Sequence, residues 1–596
     1  MHQLKEITVR NFRSIKSENF TLSDYTALIG YNNAGKTNLL LACKWLLRKW
    51  SLTENDFNHR ENPVEVEGII EGISQEILEK LPPNQAQATA PFILNEMLVI
   101  KRVQNRAGDK ANDIKLQVKK VNPETGEVVW SPAPTGLDTA MNDLFPEPIL
   151  IGAIENIEED VTKNKTTTTI GRLISEIIAP IEERYGGQAK DAMEVLKKAL
   201  DADGEDRAQE LKDFDAKANE KLKVLFPSVS IRLHVPTPEL KEFFKSGTIK
   251  VYEDEQGVGK DIGSFGSGAQ RSIQMALIRQ LAEVRKGADP APARTLLLID
   301  EPELYLHPQA VEQVRVALKQ LSKEGYQVIF ATHSAQMVTA EDVNTALLIR
   351  KNAQNGTHRR KRVEDAINEI LVGDHDSQLE LMFSLSNSNQ ILFAESVLLI
   401  EGKTESKVLP RLFEVVSGGE TFGMIKCALV KQDGGGNTCK SMKILNAMDV
   451  PAKAIVDLDY AFTQGILDGI VAADDPDVLA CKAIFTSMSD AGEIDLAPEG
   501  LPKNPKEVGK KKRDQAFSEM AACEAGQQCV QNLHDKMKGK NIWLWKKGAI
   551  EAHLGLTGKT AQVWARFVKE ITEAEDCQTV LSDFEEISRL VAWIKE

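Results

Sequence analysis

The chain has 596 residues, more than a single hydrophobic core usually holds, so we expect several domains. Its composition, 42% hydrophobic and 27% charged residues, is that of a soluble globular protein, and no apolar run approaches the ~18 residues of a membrane helix. The net charge of −15 argues against a uniformly basic nucleic-acid coat, although it leaves room for a local basic groove.

The cellular compartment is predicted from the N-terminus and the cysteines. The segment Met1 to Glu6 has no apolar signal core, so we predict a cytoplasmic protein with no membrane partner. Seven cysteines are scattered along the chain, only Cys43 lies before Cys427, and none forms a Cys-x-x-Cys pair. Neither a disulfide framework nor a zinc ribbon is indicated.

A nucleotide-binding pattern lies near the N-terminus. A buried strand predicted over residues 26–29 leads into Gly-Tyr-Asn-Asn-Ala-Gly-Lys36-Thr37, and an apolar helix is predicted over residues 39–47. Strand, loop and helix in this order predict a P-loop, with Lys36 reaching the β- and γ-phosphates of ATP and Thr37 binding Mg²⁺. The predicted ATP site also includes Asn33, Gly35 and Asn38.

Residues 160–225 interrupt this region with amphipathic helices. Apolar side chains recur at 3.6-residue spacing from Ile170 to Ile181, from Met193 to Leu200 and from Leu211 to Ala218. The stretch is too short and broken for a long coiled coil. Two interpretations stay open: a lobe packed on its own domain, or an insert that forms a dimer.

A second loop that resembles an ATPase motif follows this insert. The sequence Ser264-Phe-Gly-Ser-Gly-Ala-Gln-Arg271 precedes a predicted helix and resembles the signature motif of ABC-type ATPases. In that family the motif binds the γ-phosphate of ATP held by the partner subunit, through backbone N–H groups and a helix N-terminus. The resemblance therefore implies a dimer of heads, with Ser267 and Gly268 at the nucleotide.

Two strand ends complete the ATPase pattern. The apolar strand from residue 295 ends in Asp300 and Glu301, a Walker B pattern in which Asp300 supports Mg²⁺ and Glu301 orients or deprotonates the attacking water. The strand over residues 326–331 is followed by His333, which matches the switch histidine that senses the γ-phosphate. Residues 350–390 are predicted to form a linking segment. Its basic cluster, His358 to Arg362, is either a solvated charge run or a phosphate contact.

The second half of the chain contains carboxylates at the ends of predicted strands. Residues 397–401 form an apolar strand ending in Glu401, Glu405 lies one helical turn further on, and a second strand ends in Asp457-Leu-Asp459. Because parallel strands bring their carboxyl ends to one edge, these four carboxylates should converge. They repel one another unless cations lie among them, which predicts Mg²⁺ or Mn²⁺. The pattern resembles a Toprim domain, whose two metals assist phosphodiester cleavage.

A second basic cluster lies within this half. Lys510, Lys511, Lys512 and Arg513 are consecutive, and they are either contacts to a DNA backbone or a solvated loop. Near the C-terminus, a predicted strand is followed by Gly548-Ala-Ile-Glu551, which opens a helix, and then by Gly558-Lys559.

An ABC-type ATPase head followed by a Toprim domain resembles the OLD (overcoming lysogenization defect) family of nucleases over essentially the whole chain. The single-gene branch, with its phage-encoded exclusion proteins, is more similar than the Gabija nuclease subunit. The resemblance implies an α/β fold divided into an ATPase part (1–159), a helical dimerisation insert (160–225), a second ATPase part (226–385) and a Toprim nuclease domain (390–596). It implies a homodimer or higher oligomer that cleaves DNA in antiphage defence.

The resemblance also assigns residues to the nuclease site. The family's metal-binding positions are matched by Glu401, Glu405, Asp457 and Asp459. The resemblance implies that they bind two divalent ions, Mg²⁺ or Mn²⁺, which Ca²⁺ can replace in a crystal. Glu551 resembles the family's later acidic ligand, for which Asp495 competes, and Lys559 resembles its catalytic lysine, which stabilises charge on the phosphate. Glu401 and Asp457 are the carboxylates most directly implied in catalysis.

Other functions stay open from the sequence. One is a recombination-type ATPase that binds DNA without cutting it, which leaves the Toprim carboxylates unexplained. Another is a nuclease that is silent until a defence partner engages it, such as a reverse transcriptase with its retron RNA–DNA, or a helicase. A topoisomerase needs a tyrosine nucleophile, and Tyr460, immediately after the Asp-x-Asp, is the one tyrosine outside the predicted ATPase parts.

Overall fold

The protein is described by a computed structural model over residues 2–121, 127–145, 147–152, 184–185, 187–188, 190–226, 228–234, 249–253, 257–285, 294–343, 345–370, 390–432, 434–505 and 509–596. The chain divides into two compact units. The first unit contains Met1–Met337 and Ile349–Arg359, and the second contains Val338–Leu348 and Arg360–Glu596.

Strands and helices alternate in both units. The strands are β1 (Gln3–Phe12), β2 (Ile15–Thr21), β3 (Tyr25–Ile29), β4 (Val64–Glu71), β5 (Leu98–Gln104), β6 (Lys115–Val121), β7 (Val128–Pro132), β8 (Ile149–Ile151), β9 (Lys250–Val251), β10 (Lys260–Asp261), β11 (Thr295–Asp300), β12 (Tyr326–Thr332), β13 (Leu347–Asn352), β14 (Gly356–Arg359), β15 (Ser396–Ile400), β16 (Cys427–Lys431), β17 (Ala452–Val456), β18 (Asp495–Leu496), β19 (Pro502–Lys503) and β20 (Ile542–Leu544).

The helices are α1 (Lys36–Leu47), α2 (Gln75–Glu79), α3 (Pro83–Thr89), α4 (Leu137–Leu144), α5 (Gln209–Leu225), α6 (Ser267–Arg285), α7 (Pro308–Leu321), α8 (Ala340–Val343), α9 (Val363–Ile370), α10 (Gln390–Phe393), α11 (Lys403–Val416), α12 (Thr438–Ala447), α13 (Gln464–Leu467), α14 (Pro476–Asp490), α15 (Arg513–Ala522), α16 (Glu524–Lys538), α17 (Ile550–Leu554), α18 (Ala561–Glu573) and α19 (Phe584–Lys595). No helix in the described part of the chain has the length and apolar character needed to cross a membrane.

A large mixed sheet organises the first unit. Its strand order is β7-β6-β5-β4-β1-β2-β14-β13-β3-β12-β11-β8. The strands β3, β12, β11 and β8 pair in parallel, whereas β1, β2 and β4 to β7 pair antiparallel. The parallel strands β3, β11 and β12 are apolar and buried along almost their whole length, as expected for strands covered on both faces. The residues that follow them therefore meet at one edge.

A four-stranded parallel sheet organises the second unit, in the order β16-β15-β17-β20. One side packs on a core of large apolar side chains from α11, β20, α18 and α19, including Phe413, Trp543, Trp545 and Trp593. β16 and β17 both run parallel to β15, and β20 runs parallel to β17. The carboxyl ends of β15, β17 and β20 therefore lie along the same edge. These two sheets confirm the α/β class predicted from the sequence.

The segment over residues 350–370 is not a linker, so that part of the prediction is wrong. It contains the end of β13, then β14 and α9. Arg359 of β14 donates from Nε to the carbonyl oxygen of Asn19 at 2.8 Å, and Lys361 pairs with Glu369. Short polar strands of this kind lack the apolar alternation that marks a strand in sequence. Residues 371–389 lie outside the described residues.

Part of the predicted helical insert is described. Residues 190–200 are helical, and α5 covers the third predicted amphipathic stretch. Large apolar side chains on these helices are exposed, among them Val195 (68%) and Phe214 (53%). The first stretch, from Ile170 to Ile181, lies outside the described residues.

Candidate active sites

The P-loop connects β3 to α1 around Gly35. This residue has a φ of 101°, the left-handed region that favours glycine. A Cβ at this position would lie 2.1 Å from Oγ1 of Thr357. The Thr357 hydroxyl donates to the carbonyl oxygen of Ala34 at 2.8 Å. Thr357, which no sequence pattern singles out, therefore supports the loop from β14.

The P-loop lysine lies beside the predicted switch histidine. Lys36 is buried, and its Nζ donates to the carbonyl oxygens of Gly30 (2.9 Å) and Tyr31 (3.2 Å). Nε2 of His333 is 2.8 Å from the same Nζ. Burial lowers the pKa of Lys36, against the opposing effect of the nearby Walker B carboxylates. Burial and the charge of Lys36 lower the pKa of His333, which favours the neutral imidazole.

The Walker A and Walker B residues meet at the end of β11. Oγ1 of Thr37 donates to Oδ2 of Asp300 at 2.6 Å, so the two predicted Mg²⁺-supporting groups are adjacent. Oε1 of Glu301 is 3.4 Å from Nε2 of His333. Glu301 has a φ of 50°, which is uncommon for a residue with a side chain. The structure thus brings the predicted hydrolytic glutamate, switch histidine and P-loop together.

Glu303, which is partly buried, also holds this arrangement. Oε1 of Glu303 accepts from the hydroxyl of Thr332 and from the backbone N–H of His333, both at 2.8 Å. This fixes the backbone that carries the switch histidine. In the sequence, Glu303 stands out only because it lies two residues after Glu301. This spacing does not reveal that its carboxylate contacts the backbone of His333.

Arg271, the last residue of the signature loop, ties α6 to the Walker B strand end. Its side chain is 0% exposed, and it donates to the carbonyl oxygens of Asp300 (3.0 Å), Glu301 (2.7 Å) and Gly152 (3.1 Å). Arg271 thereby holds the backbone of Glu301 in its left-handed conformation. In the sequence, this arginine is marked only as part of the signature loop, and nothing there indicates its contact with Glu301.

The other residues predicted to bind nucleotide lie at the start of α6 and around the P-loop. Ser267 begins α6 and is exposed, and a Cβ on Gly268 would lie 3.8 Å from Cβ of Tyr305 in the loop after Walker B. Asn33 has a φ of 66° in the P-loop, and Nδ2 of Asn38 donates to Oγ of Ser14 at 2.6 Å. Ser267 is therefore accessible from the solvent.

In the second unit, the edge of the parallel sheet collects acidic residues. Glu401 follows β15, Glu405 lies in the first turn of α11, and Asp457 follows β17. Glu551 opens α17 just after β20, and Lys559 lies between α17 and α18. Residues separated by more than 150 positions thus share one site.

Each of these carboxylates has a different set of contacts. Oε2 of Glu401 accepts from the backbone N–H of Asp457 at 3.2 Å. Oε1 of Glu551 accepts from the hydroxyl of Thr404, and its Oε2 lies 3.4 Å from Nζ of Lys559. Buried Oδ1 of Asp457 and Oε2 of Glu551 have no hydrogen-bond partner among the described residues. Sequence reasoning did not identify Thr404 as the donor that orients Glu551.

The electrostatics of the site follow from this crowding. Burial raises the pKa of Glu405 to about 7, and the neighbouring Glu551 and Glu401 add to the effect. Burial, Glu405 and Glu401 raise the pKa of Asp457 well above its ordinary value. Burial lowers the pKa of Lys559, but the surrounding carboxylates outweigh it and the net pKa is raised. The site therefore has an excess of negative charge.

Within the described ranges, no group of three or more aspartate, glutamate, histidine or cysteine side chains has the geometry of a metal-binding site. The oxygen-rich donor set is nevertheless of the type that holds Mg²⁺ or Mn²⁺. The buried Oδ1 of Asp457, which has no hydrogen-bond partner among the described residues, is positioned for a ligand other than a protein donor.

Two cavities meet at the carboxylates. The larger, about 640 Å³, is lined by residues including Asp457, Asp459, Glu551 and Lys559, together with Lys512 and Arg513. The smaller, about 250 Å³, shares Asp457, Glu551 and Lys559 and is closed by Lys403, Thr404, Glu405 and Trp564. The shared residues form the boundary between the two cavities.

The four residues of the second basic cluster divide into two pairs. Nη2 of Arg513 donates to Oδ2 of Asp459 at 2.9 Å, and Lys512 lines the larger cavity. Lys510 instead pairs with Asp495 at 2.5 Å, and Lys511 pairs with Glu493 and Glu519. Asp495 is thus engaged by Lys510 in the small β18–β19 sheet and does not line either cavity.

Comparison with known proteins identifies both units. An AAA ATPase domain profile matches residues 3–81 and 109–338. A profile described as the overcoming lysogenization defect protein-like TOPRIM domain matches residues 392–459. The Old nuclease of Escherichia phage P2 is 38% identical over 603 residues, which cover 99% of this chain and 100% of that nuclease.

The chain belongs to the OLD family of nucleases. Two other relatives are more distant. Endonuclease GajA of Bacillus cereus is 25% identical over 70% of this chain and 68% of its own length. The OLD nuclease of Thermus scotoductus is 22% identical over 76% of this chain and 82% of its own length. The family and the ATPase-plus-Toprim architecture predicted from the motifs are confirmed, and this OLD-family chain is an enzyme with an ATPase and a nuclease domain.

We expect Arg271→Met to lower the kcat for ATP hydrolysis about 100-fold. The variant removes the hydrogen bond that supports the backbone of Glu301, and a misplacement of a catalytic group by about 1 Å can lower a rate about 100-fold. ATP affinity should change little, since Lys36 and the P-loop are untouched. Steady-state ATPase kinetics and calorimetric ATP titration measure the two quantities.

A matched control for this variant exists on the same helix. Arg279 of α6 donates to Gln313 and not to a Walker B carbonyl, so Arg279→Met should retain its kcat. A folded Arg271→Met protein with an unchanged kcat would show that Arg271 has only a structural role.

Proposed function

We propose that this OLD-family chain is an ATP-controlled DNA endonuclease that acts in phage exclusion or antiphage defence. It would use two divalent metal ions at the Toprim edge, by which we mean the carboxyl ends of β15, β17 and β20 with the acidic residues that follow them. The convergence of Glu401, Glu405, Asp457 and Glu551 beside Lys559 carries the proposal. The names of the relatives, a nuclease of phage P2 and an endonuclease, support it.

The residues of the Toprim edge have separable roles in this proposal. Glu401, Glu405, Asp457, Asp459 and Glu551 would hold the ions. Divalent metals in such a site activate water and stabilise the leaving oxygen of a phosphodiester. Lys559, which already contacts Glu551, is placed to stabilise negative charge on the reacting phosphate. Thr404 orients Glu551, and the N–H of Asp457 orients Glu401.

The ATPase site supplies the control element. Lys36 and the P-loop N–H groups would bind the phosphates, with Thr37 and Asp300 supporting Mg²⁺. Glu301 and His333 are close enough to share the attacking water and the γ-phosphate. ATP hydrolysis can therefore change the contacts of His333 and of Arg271. Arg271 lies on α6, the helix that begins at the exposed signature loop.

The proposed assembly is a homodimer. An exposed signature loop at Ser267 supports it, and so do the large apolar side chains that the insert exposes, Val195, Leu196 and Phe214, because contiguous exposed apolar surface marks interfaces. A monomeric mass by light scattering at micromolar concentration, with and without ATP, would contradict it.

We expect Asp457→Ala to abolish nicking of supercoiled plasmid with Mg²⁺ or Mn²⁺ while ATP hydrolysis persists, because it removes a carboxylate from the centre of the site. Lys36→Ala should abolish hydrolysis, because it removes the P-loop cation. Gel assays of plasmid cleavage and phosphate release test both. Cleavage that survives Asp457→Ala would contradict the site assignment, and ATP hydrolysis without any cleavage by the intact protein would favour a partner-activated nuclease.

We expect Thr404→Val to weaken Mn²⁺ binding and lower cleavage by about 10- to 100-fold, the range for loss of a group that orients a metal ligand. Valine keeps the shape of threonine but cannot donate to Glu551. Thr486→Val on α14 is the control, since that hydroxyl donates only within its own helix to Lys482. Calorimetric titration with Mn²⁺ would contradict the role of Thr404 if the affinity were unchanged.

The two pairs within the basic cluster should differ in DNA binding. Lys512→Gln and Arg513→Gln remove cations that line the larger cavity, so each should weaken DNA binding and reduce the salt slope by about 1. Lys510→Gln and Lys511→Gln remove cations that do not line this cavity and that pair with Asp495, Glu493 and Glu519, so they should have little effect. Fluorescence anisotropy across a salt series measures the slopes, and equal losses in all four variants would contradict this division.

A further inference from the structure

The two cavities beside the carboxylates differ in chemistry. The larger one, about 640 Å³, contains the cations Lys512 and Arg513 and several polar side chains, which suit a phosphate backbone. The smaller one, about 250 Å³, is lined by Trp564 and Lys403 together with the carboxylates of Glu405, Asp457 and Glu551. Since Asp457, Glu551 and Lys559 border both, a phosphodiester held by these residues would have one neighbouring nucleotide on each side.

Trp564 is held firmly in its place. It lies on α18, whose Phe567 and Ile571 belong to the buried core, and Trp564 itself packs against that core. The remainder of the side chain borders the small cavity. Its Nε1 is buried and has no hydrogen-bond partner in the described part of the chain. An aromatic side chain fixed by packing is a suitable platform for a flat ligand.

The size of the small cavity limits what it can receive. Pockets for drug-sized ligands begin at about 300 Å³, so a space of about 250 Å³, part of which ions at Glu405, Asp457 and Glu551 would occupy, accommodates one base at the Trp564 side and excludes a base-paired duplex. Nucleobases stack on tryptophan without needing a particular sequence. A base can reach such a space only if it is unpaired.

We propose that the small cavity receives the base of an unpaired nucleotide next to the scissile phosphate, stacked on Trp564. The preferred substrate is then DNA with a locally unpaired base, such as a frayed end, a flap or a mismatch. This inference rests on the proposed endonuclease function and specifies its substrate class. The duplex on the other side of the phosphate lies along Lys512 and Arg513.

The test uses duplexes that are identical except for one 2-aminopurine, either paired or unpaired. The intact protein should cleave next to the unpaired base about tenfold faster than in the paired duplex, the size expected for one stacked base. Trp564→Leu, which keeps apolar packing, should reduce this ratio to about 1, and Trp564→Phe, which keeps a ring, should preserve most of it. Trp130→Leu, in the first unit, is the matched control and should leave the ratio unchanged.

The fluorescence of 2-aminopurine separates this inference from the proposed function. Stacking should quench the unpaired probe on binding to the intact protein and to Trp564→Phe, but not to Trp564→Leu. Quenching without any cleavage would support the stacking site and refute the endonuclease. Cleavage with no preference for the unpaired base, or a preference retained in Trp564→Leu, would refute the stacking site and leave the endonuclease standing.

Discussion

Both chemical centres depend on one constraint, the common direction of parallel strands. In the first unit, β3, β11 and β12 end side by side, so the P-loop, Glu301 and His333 meet although they are up to 300 positions apart. In the second unit, β15, β17 and β20 do the same for Glu401, Asp457 and Glu551. Reversing one strand would move its residues to the opposite edge, so neither site could exist on an antiparallel version of its sheet.

The two sites solve opposite problems of buried charge. The ATP site places a cation, Lys36, among backbone carbonyl oxygens and near carboxylates, so that one positive charge lies at the P-loop where phosphates would bind. The Toprim edge places carboxylates near one another, and burial with mutual repulsion raises the pKa of Asp457 and Glu405. Partners such as Thr404 and Arg513 satisfy individual oxygens without removing the excess negative charge. Each site is therefore complementary to a charged ligand.

The sequence predicts the strand ends well and their supports poorly. Glu401 and Asp457 follow apolar strands with a turn residue or a second acid close by, so local pattern was sufficient. Arg271 donates to carbonyl oxygens 29 and 30 positions away, and a carbonyl has no sequence signature. Lys510 and Lys512, two positions apart in one basic run, look identical in sequence, yet Asp495 engages the first and the second lines a cavity. Roles set by distant neighbours are visible only once the fold brings those neighbours together.

The charge of the Toprim edge also bears on the number of metal ions. Five carboxylates, with Lys559 and Arg513 in contact with two of them, leave a charge of about −3 when all are ionised. One divalent ion would leave the site negative and repel a phosphodiester. Two would make it slightly positive, and this sign reverses the repulsion while keeping Glu405 and Asp457 ionised against their raised pKa values. On the same count, removal of Lys559 would lower the charge of the site by one unit, which would weaken its attraction for a phosphodiester.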